Sequence, residues 1–173
     1  MSSIPHDLSK IKAFIFDVDG VLSRAVIPIS AEGDPMRTVN IKDGFAIHHA
    51  IKRGYTLGII TGGYTESVRL RFLRLGVQHI YMQAHTKTNE FQDFLDKTNL
   101  SPEEIVYCGD DLPDVEVMKR VGLAIAPADA APEAKAVAHY ISPILGGEGI
   151  AREVIEQTLR LHGEWLTDDA FGW

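Results

Sequence analysis

The sequence predicts a three-layer α/β/α fold around a central parallel sheet, and three observations carry that prediction. Short apolar runs recur along the chain and are continuous rather than alternating, which marks strands buried on both faces. Stretches with helical spacing separate most of these runs, and alternation of this kind builds a parallel sheet with helices on either side. Acidic or glycine-rich residues follow directly on the runs at Asp17, Thr61 and Gly109. In open α/β sheets ligands bind at the carboxyl ends of strands.

Ala13-Phe-Ile-Phe16 is the first strand and runs into Asp17-Val-Asp19-Gly20. From residue 22 to about 41 the pattern is not helical. Val26–Ile29 and Arg37–Ile41 read as short strands, with the turn-rich Ser30–Pro35 between them, giving a projecting β-hairpin with Pro28 on an edge or bulge. A helix follows over Asp43–Gly54, then a strand ending at Ile60 before Thr61-Gly62-Gly63, a basic helix over Tyr64–Leu75 and a short strand over Ile80–Met82. Thr86–Asn99 reads as a helix with Lys87 in its first turn. Ser101-Pro-Glu-Glu104 is a capped turn before the strand Ile105–Cys108, which delivers Gly109-Asp-Asp-Leu-Pro-Asp114. Beyond it lie a helix over Val115–Val121, a strand over Leu123–Ala126, a helix over Ala130–Ala138, a brief strand at His139–Ile141, and a last helix over Ile150–Leu161 after Gly146-Gly-Glu-Gly149. There is no internal repeat, so residues 1–173 form one expected domain, with a polar, aromatic-ended tail over about 164–173.

Composition narrows the function. Apolar residues make up 45% of the 173 and charged residues 24%, the balance of a water-soluble globular chain. The absence of a long apolar run argues against a membrane span, and the N-terminus lacks the pattern of a secretory signal. The single cysteine, Cys108, has no partner for an internal disulfide and reads as a core residue; a cytoplasmic protein is expected. The net charge of −7 argues against nucleic acid, whose binding needs a basic footprint. A small phosphorylated substrate remains compatible, because a bound cation reverses the local field.

The two carboxylates after the first strand are spaced to face one way from extended backbone. Like charges so close call for a cation or a shared proton. Mg²⁺ meets that need and leaves positions for water and a phosphate. One carboxylate can then attack phosphorus while the other moves a proton. Thr61 and the bare amides of Gly62 and Gly63 offer an anion site at a helix start. A helix dipole disfavours a cation in the first turn, so Lys87 there has another task, such as clamping a phosphate. Asp110 can complete the metal site, Asp114 can orient Lys87 or metal-bound water, and Asp111 is either a supporting charge or a helix-start cap.

Taken in order, Asp17-Val-Asp19-Gly20, Thr61, Lys87 and Gly109-Asp-Asp-Leu-Pro-Asp114 resemble the motifs of haloacid dehalogenase-superfamily phosphotransferases, and the resemblance spans nearly the whole chain. It implies a Rossmann-like fold. It also implies Asp17 as nucleophile, Asp19 as acid/base, Thr61 and Lys87 as phosphate-binding catalytic residues, Gly62 as a phosphate contact, and Mg²⁺ held by Asp17, Asp19 (through its backbone carbonyl) and Asp110. Neither gap between motifs holds a cap domain. The capless subgroup that includes phosphatases of 3-deoxy-D-manno-octulosonate 8-phosphate (KDO-8-phosphate) is similar further, at Val39–Gly44, Ile59–Gly62 and Gly146–Gly149 with Arg152-Glu153. This implies a sugar-acid phosphate as substrate, a role in KDO and lipopolysaccharide biosynthesis, and a homotetramer built through the hairpin. The chain departs from that subgroup at Gly63-Tyr64 and at Glu148, so phosphatases of nine-carbon sugar acids and a non-catalytic phospho-ligand module stay open. Arg71 is a candidate for a substrate carboxylate and His85 for the site lining. His48 and His49 read as helix-surface residues. Trp165, Phe171 and Trp173 suggest a tail that reaches a neighbour's site.

Overall fold

In the computed structural model, which describes residues 4–171, six strands form a wholly parallel sheet in the order β3-β2-β1-β4-β5-β6. The strands are β1 (Ala13–Phe16), β2 (Thr56–Ile60), β3 (His79–Tyr81), β4 (Ile105–Cys108), β5 (Leu123–Ala126) and β6 (Tyr140–Ile141). The helices are α1 (Ile41–Lys52), α2 (Glu66–Leu75), α3 (Lys87–Thr98), α4 (Val115–Met118), α5 (Pro132–Val137) and α6 (Ile150–Leu161). Strand order reverses between β1 and β4, so the crevice for a ligand opens above the ends of those two strands.

The continuous apolar runs are explained by the two cores. Phe14 and Phe16 of β1 point to one face, with α1, α2 and α6; Ala13 and Ile15 point to the other, with α3, α4 and α5. A strand clamped between two helical layers has no polar face to show. Gly58 of β2 has no side chain because Phe94 of α3 and Ile15 fill its place; a Cβ there would stand 3.0 Å from Phe94.

The expected hairpin over 22–41 is reduced to a single antiparallel bridge, Ile29 with Pro35, beside a tight reversal in which Ser30 N–H donates to the Asp34 carbonyl. Pro28 and Pro35 both lack the donors a ladder needs. Ile41 is not in a strand: Asn40 caps α1, its side chain accepting from the amides of Lys42 and Asp43. Val26, Ile29, Met36, Val39 and Ile41 are exposed. Among the described residues no helix is long and apolar enough to cross a membrane.

The C-terminal segment folds back on its own chain. Trp165 is buried edge-on against Phe45 and His49, with the Arg152 guanidinium 4.4 Å over its ring. His49 is therefore a core residue rather than a surface one, its ring nitrogen 3.1 Å from the Glu164 carbonyl. Trp165 is not free to reach a neighbour, and Trp173 lies outside the described residues.

Asp43 joins α1 to α6. The N-cap of α6 is Gly149, which has no side chain to offer, and Asp43 of α1 accepts from the Arg152 amide at 2.7 Å instead. Its second oxygen is buried without a partner among the described residues, and burial pushes the carboxyl up to about 6. A folded-state pKa above the unfolded value of 3.8 means the neutral acid is favoured in the fold. The associated stability is whole below about pH 4 and is lost as pH rises through about 6. The shift corresponds to about 3 kcal/mol. Asp43→Asn removes the titration, so the stability of the variant relative to the parent should rise by up to about 3 kcal/mol between pH 4 and pH 7 in urea unfolding series. A difference that does not change with pH would contradict this account of Asp43.

Candidate active site

The cleft above β1 and β4 has a volume of about 490 Å³ and is lined by Asp17, Asp19, Gly20, Thr61, Gly62, Lys87, Asp110, Asp111 and Asp114, with Ala25, Gly63, Ala84, His85 and Pro113. The sequence motifs reach it from three strand ends and one helix start. β1 delivers Asp17, β2 delivers Thr61, the start of α3 delivers Lys87, and β4 delivers the loop 109–114.

Lys87 is the centre of the geometry. Its ammonium is buried and lies 2.9 Å from Asp17 Oδ2 and 2.6 Å from Asp114 Oδ1. Burial works against its charge, but the two carboxylates outweigh that effect and hold Lys87 above its ordinary pKa. The same two contacts supply the reason for a cation in the first turn of a helix.

Asp114 is fully occupied. One oxygen accepts from Lys87 and, at 2.6 Å, from the Tyr107 hydroxyl; the other accepts from the amides of Asp110 at 3.1 Å and Asp111 at 3.3 Å. A carboxylate has about four acceptor positions, and these four donors use them. Tyr107 remains a donor, because burial and the charges of Asp114 and Asp17 push its hydroxyl far above the ordinary value. Sequence reading did not single out Tyr107: in a buried strand a Tyr looks like any other apolar residue. Asp111 is exposed and caps the next turn, accepting from the Leu112 amide at 2.8 Å.

Asp17, Asp110 and Asp114 bring oxygens within 4.8 Å of one another. Three carboxylates thus face one ammonium, an excess of negative charge that suits a divalent cation. Burial and the charge of Asp114 raise Asp17 to about 6 against the opposing pull of Lys87, and burial with Asp17, Asp114 and Asp111 raises Asp110 to about 8. Both carboxylates are short of positive charge. Because Asp114 is saturated by its donors, Asp17 and Asp110 are the side chains of this cluster left to hold a metal. Gly20 makes room for them: its φ is +81°, and a Cβ there would come within 2.0 Å of Asp110 Oδ2.

Asp19 stands apart from that cluster. Both its oxygens accept from Arg37, from Nε at 2.7 Å and Nη2 at 2.8 Å. Arg37 was not among the residues expected from sequence. It sits in the irregular segment before α1, and its guanidinium passes over Gly63, where a Cβ would stand 2.2 Å from Nη2. Arg71 is not brought to this cleft. It lies on the Val68-Phe72-Leu75 stripe of α2 and packs against Gly44 of α1, lining a separate small cavity with Asp43. His85 lines the cleft from the loop before α3. Glu148 lies outside it and pairs with Arg24 at 2.6 Å.

Residues 64–154 match the model of the haloacid dehalogenase-like hydrolases. The chain is 39% identical over 171 residues to the 3-deoxy-D-manno-octulosonate 8-phosphate phosphatase KdsC of Salmonella typhimurium, covering 97% of this chain and 90% of that protein. The crystal structure of the corresponding phosphatase of Yersinia pestis superposes with a TM-score of 0.86 at 35% identity, over 91% of this chain and 85% of that one. A Moraxella catarrhalis phosphatase of the same name, solved with a magnesium ion, a phosphate ion and a KDO molecule, gives a TM-score of 0.83 at 32% identity over 88% of both chains.

The packing of Gly20 under Asp110 sets a test. Gly20→Ala should displace the Asp110 carboxylate and weaken Mg²⁺ binding by about 10- to 100-fold, measured by calorimetric titration, with the fold retained by circular dichroism. Unchanged Mg²⁺ affinity would show that Asp110 does not hold the ion.

Proposed function

The chain belongs to the haloacid dehalogenase-like hydrolase family, and on that premise we propose that it is a Mg²⁺-dependent phosphomonoesterase converting KDO-8-phosphate to KDO and phosphate. One observation carries the reading. Asp17, Thr61, Lys87 and Asp110 line one cleft at the switch point of the sheet, in a chain that matches KDO-8-phosphate phosphatases over almost its whole length.

In this reading Asp17 attacks phosphorus, an O–P bond forms, and the bond from phosphorus to the sugar oxygen breaks. Asp19 gives that oxygen its proton. Water then attacks the aspartyl-phosphate, passes a proton to Asp19 and releases phosphate, restoring Asp17. Lys87 lies on Asp17 and supplies fixed positive charge where phosphoryl oxygens gather; the Thr61 hydroxyl and the Gly62 amide offer donors from the adjacent strand end. Asp17 and Asp110, with the Asp19 backbone carbonyl, would hold Mg²⁺, which neutralises charge on the phosphoryl group when bound. Asp114 and Tyr107 orient Lys87 and the 109–114 loop.

The assembly in this reading is a homotetramer working in the cytoplasm. What supports self-association is the exposed apolar set Val26, Ile29, Met36, Val39 and Ile41 on a segment with a single antiparallel bridge among the described residues. A patch of this kind marks a contact surface.

A screen of sugar phosphates by kcat/KM tests the substrate, and Asp17→Asn tests the chemistry. KDO-8-phosphate should lead the screen. Asp17→Asn should lower kcat by at least about 10⁴-fold with Mg²⁺ present, since an amide of the same shape cannot take the phosphoryl group. A nine-carbon acid phosphate leading the screen would replace the substrate, turnover without Mg²⁺ would end the metal dependence, and an inactive parent would end the phosphatase reading.

A further inference from the structure

Arg37 occupies the rim of the cleft in an arrangement built by three parts of the chain. Its backbone is fixed by Thr38, whose amide donates to Ser23 Oγ at 2.9 Å and whose hydroxyl accepts from the Arg24 amide at 3.1 Å. Its side chain is only 7% exposed. Two guanidinium nitrogens form a fork on Asp19 and the third donates to the Thr65 hydroxyl. Thr65 is the N-cap of α2, yet its side chain makes no capping bond. Gly63 supplies the space, as the 2.2 Å approach of a Cβ to Nη2 shows.

The pair is buried on the arginine side alone. Here the carboxylate is 42% exposed and lines the open cleft. With the fork engaged, the two acceptor positions of Asp19 that face Arg37 are taken and its carboxylate is held in line with the guanidinium, so release of Arg37 frees Asp19 to turn to a leaving group. Releasing a buried guanidinium without a new partner is costly, because its charge and donors are left unsatisfied. A planar carboxylate on the substrate offers the same two-pronged geometry. Exchanging one carboxylate for another keeps the number of ion pairs constant. A neutral leaving group offers no such exchange.

We propose that Arg37 is a specificity-determining binding residue: it leaves Asp19 for the carboxylate of the sugar acid, and so admits acid phosphates in preference to neutral ones. The inference rests on the sugar-acid reading above. It gives Arg37 a contact with substrate, not a step in bond making.

The test compares the parent with Arg37→Met, which keeps the length and loses the fork, and Arg37→Lys, which keeps the charge. Three substrates are used with Mg²⁺: KDO-8-phosphate, glucose 6-phosphate and p-nitrophenyl phosphate. Arg37→Met should lose at least about tenfold in kcat/KM on KDO-8-phosphate, chiefly through KM, while the two substrates without a carboxylate change by less than about threefold or improve. Binding of free KDO by calorimetry should weaken by at least about tenfold, with inorganic phosphate unaffected. Arg37→Lys should keep part of the selectivity, and it carries the test should the Met variant not fold. Equal losses on all three substrates, or full selectivity retained in both variants, would overturn the proposal and leave the substrate reading standing. A parent that shows no preference for KDO-8-phosphate over glucose 6-phosphate would overturn the substrate reading and this proposal with it.

Discussion

The buried ammonium of Lys87, held between Asp17 and Asp114, is the interaction on which the site depends. It links three elements distant in sequence: the end of β1, the loop after β4 and the first turn of α3. Taking these charges out of water is expensive, and the cost is offset only where every donor and acceptor finds a partner. Asp114 finds four, and Lys87 finds two carboxylates. The arrangement leaves negative charge in excess on Asp17 and Asp110. A fold that spends a buried lysine and still concentrates carboxylates at one point is organised for a cation and an anionic ligand together.

Close backbone packing follows from that constraint. Gly20 lets Asp110 lie over the turn after β1, and a Cβ on Gly109 would stand 2.5 Å from that of Asp114. Gly146 meets the same turn from below, where a Cβ would come within 2.0 Å of the Gly20 carbonyl, and the Gly147 amide donates to the Val21 carbonyl at 2.8 Å. The late glycine stretch is thus a floor for the catalytic turn. It leads into α6, whose capless start is completed by Asp43 of α1. The charged site and the α1–α6 packing are in this way parts of one construction.

Much of this was legible in the sequence, for identifiable reasons. β1, β4, β5 and α6 begin and end where the apolar runs and glycines place them, because strands buried on both faces leave an unmixed signal. Asp17, Asp19, Thr61, Lys87, Asp110 and Asp114 meet in one cleft because motifs at strand ends converge in a parallel sheet. The segment before α1 was less legible. β-like residues on either side of a turn suggested two strands, but two prolines limit the pairing and Asn40 takes Ile41 into a helix. Arg37 lay inside that segment and carried no periodic signal; its counterpart is the bare Gly63, far away in sequence. Arg71 looked like a ligand residue because it is basic, whereas its spacing with Val68, Phe72 and Leu75 assigns it to the α1–α2 contact. Trp165 and His49 lie far apart in sequence and become partners only when the chain folds back.

The central claim is that Asp17, poised on Lys87, takes up the phosphoryl group. The most direct measurement is a rapid acid quench of the enzyme turning over KDO-8-phosphate with Mg²⁺, followed by peptide mass spectrometry to locate acid-stable phosphorylation. The account predicts a phosphoryl group on Asp17, formed and consumed within the catalytic cycle and missing when Asp17 is replaced. A label carried on another carboxylate, or turnover with no phosphorylated peptide at any quench time, would contradict it.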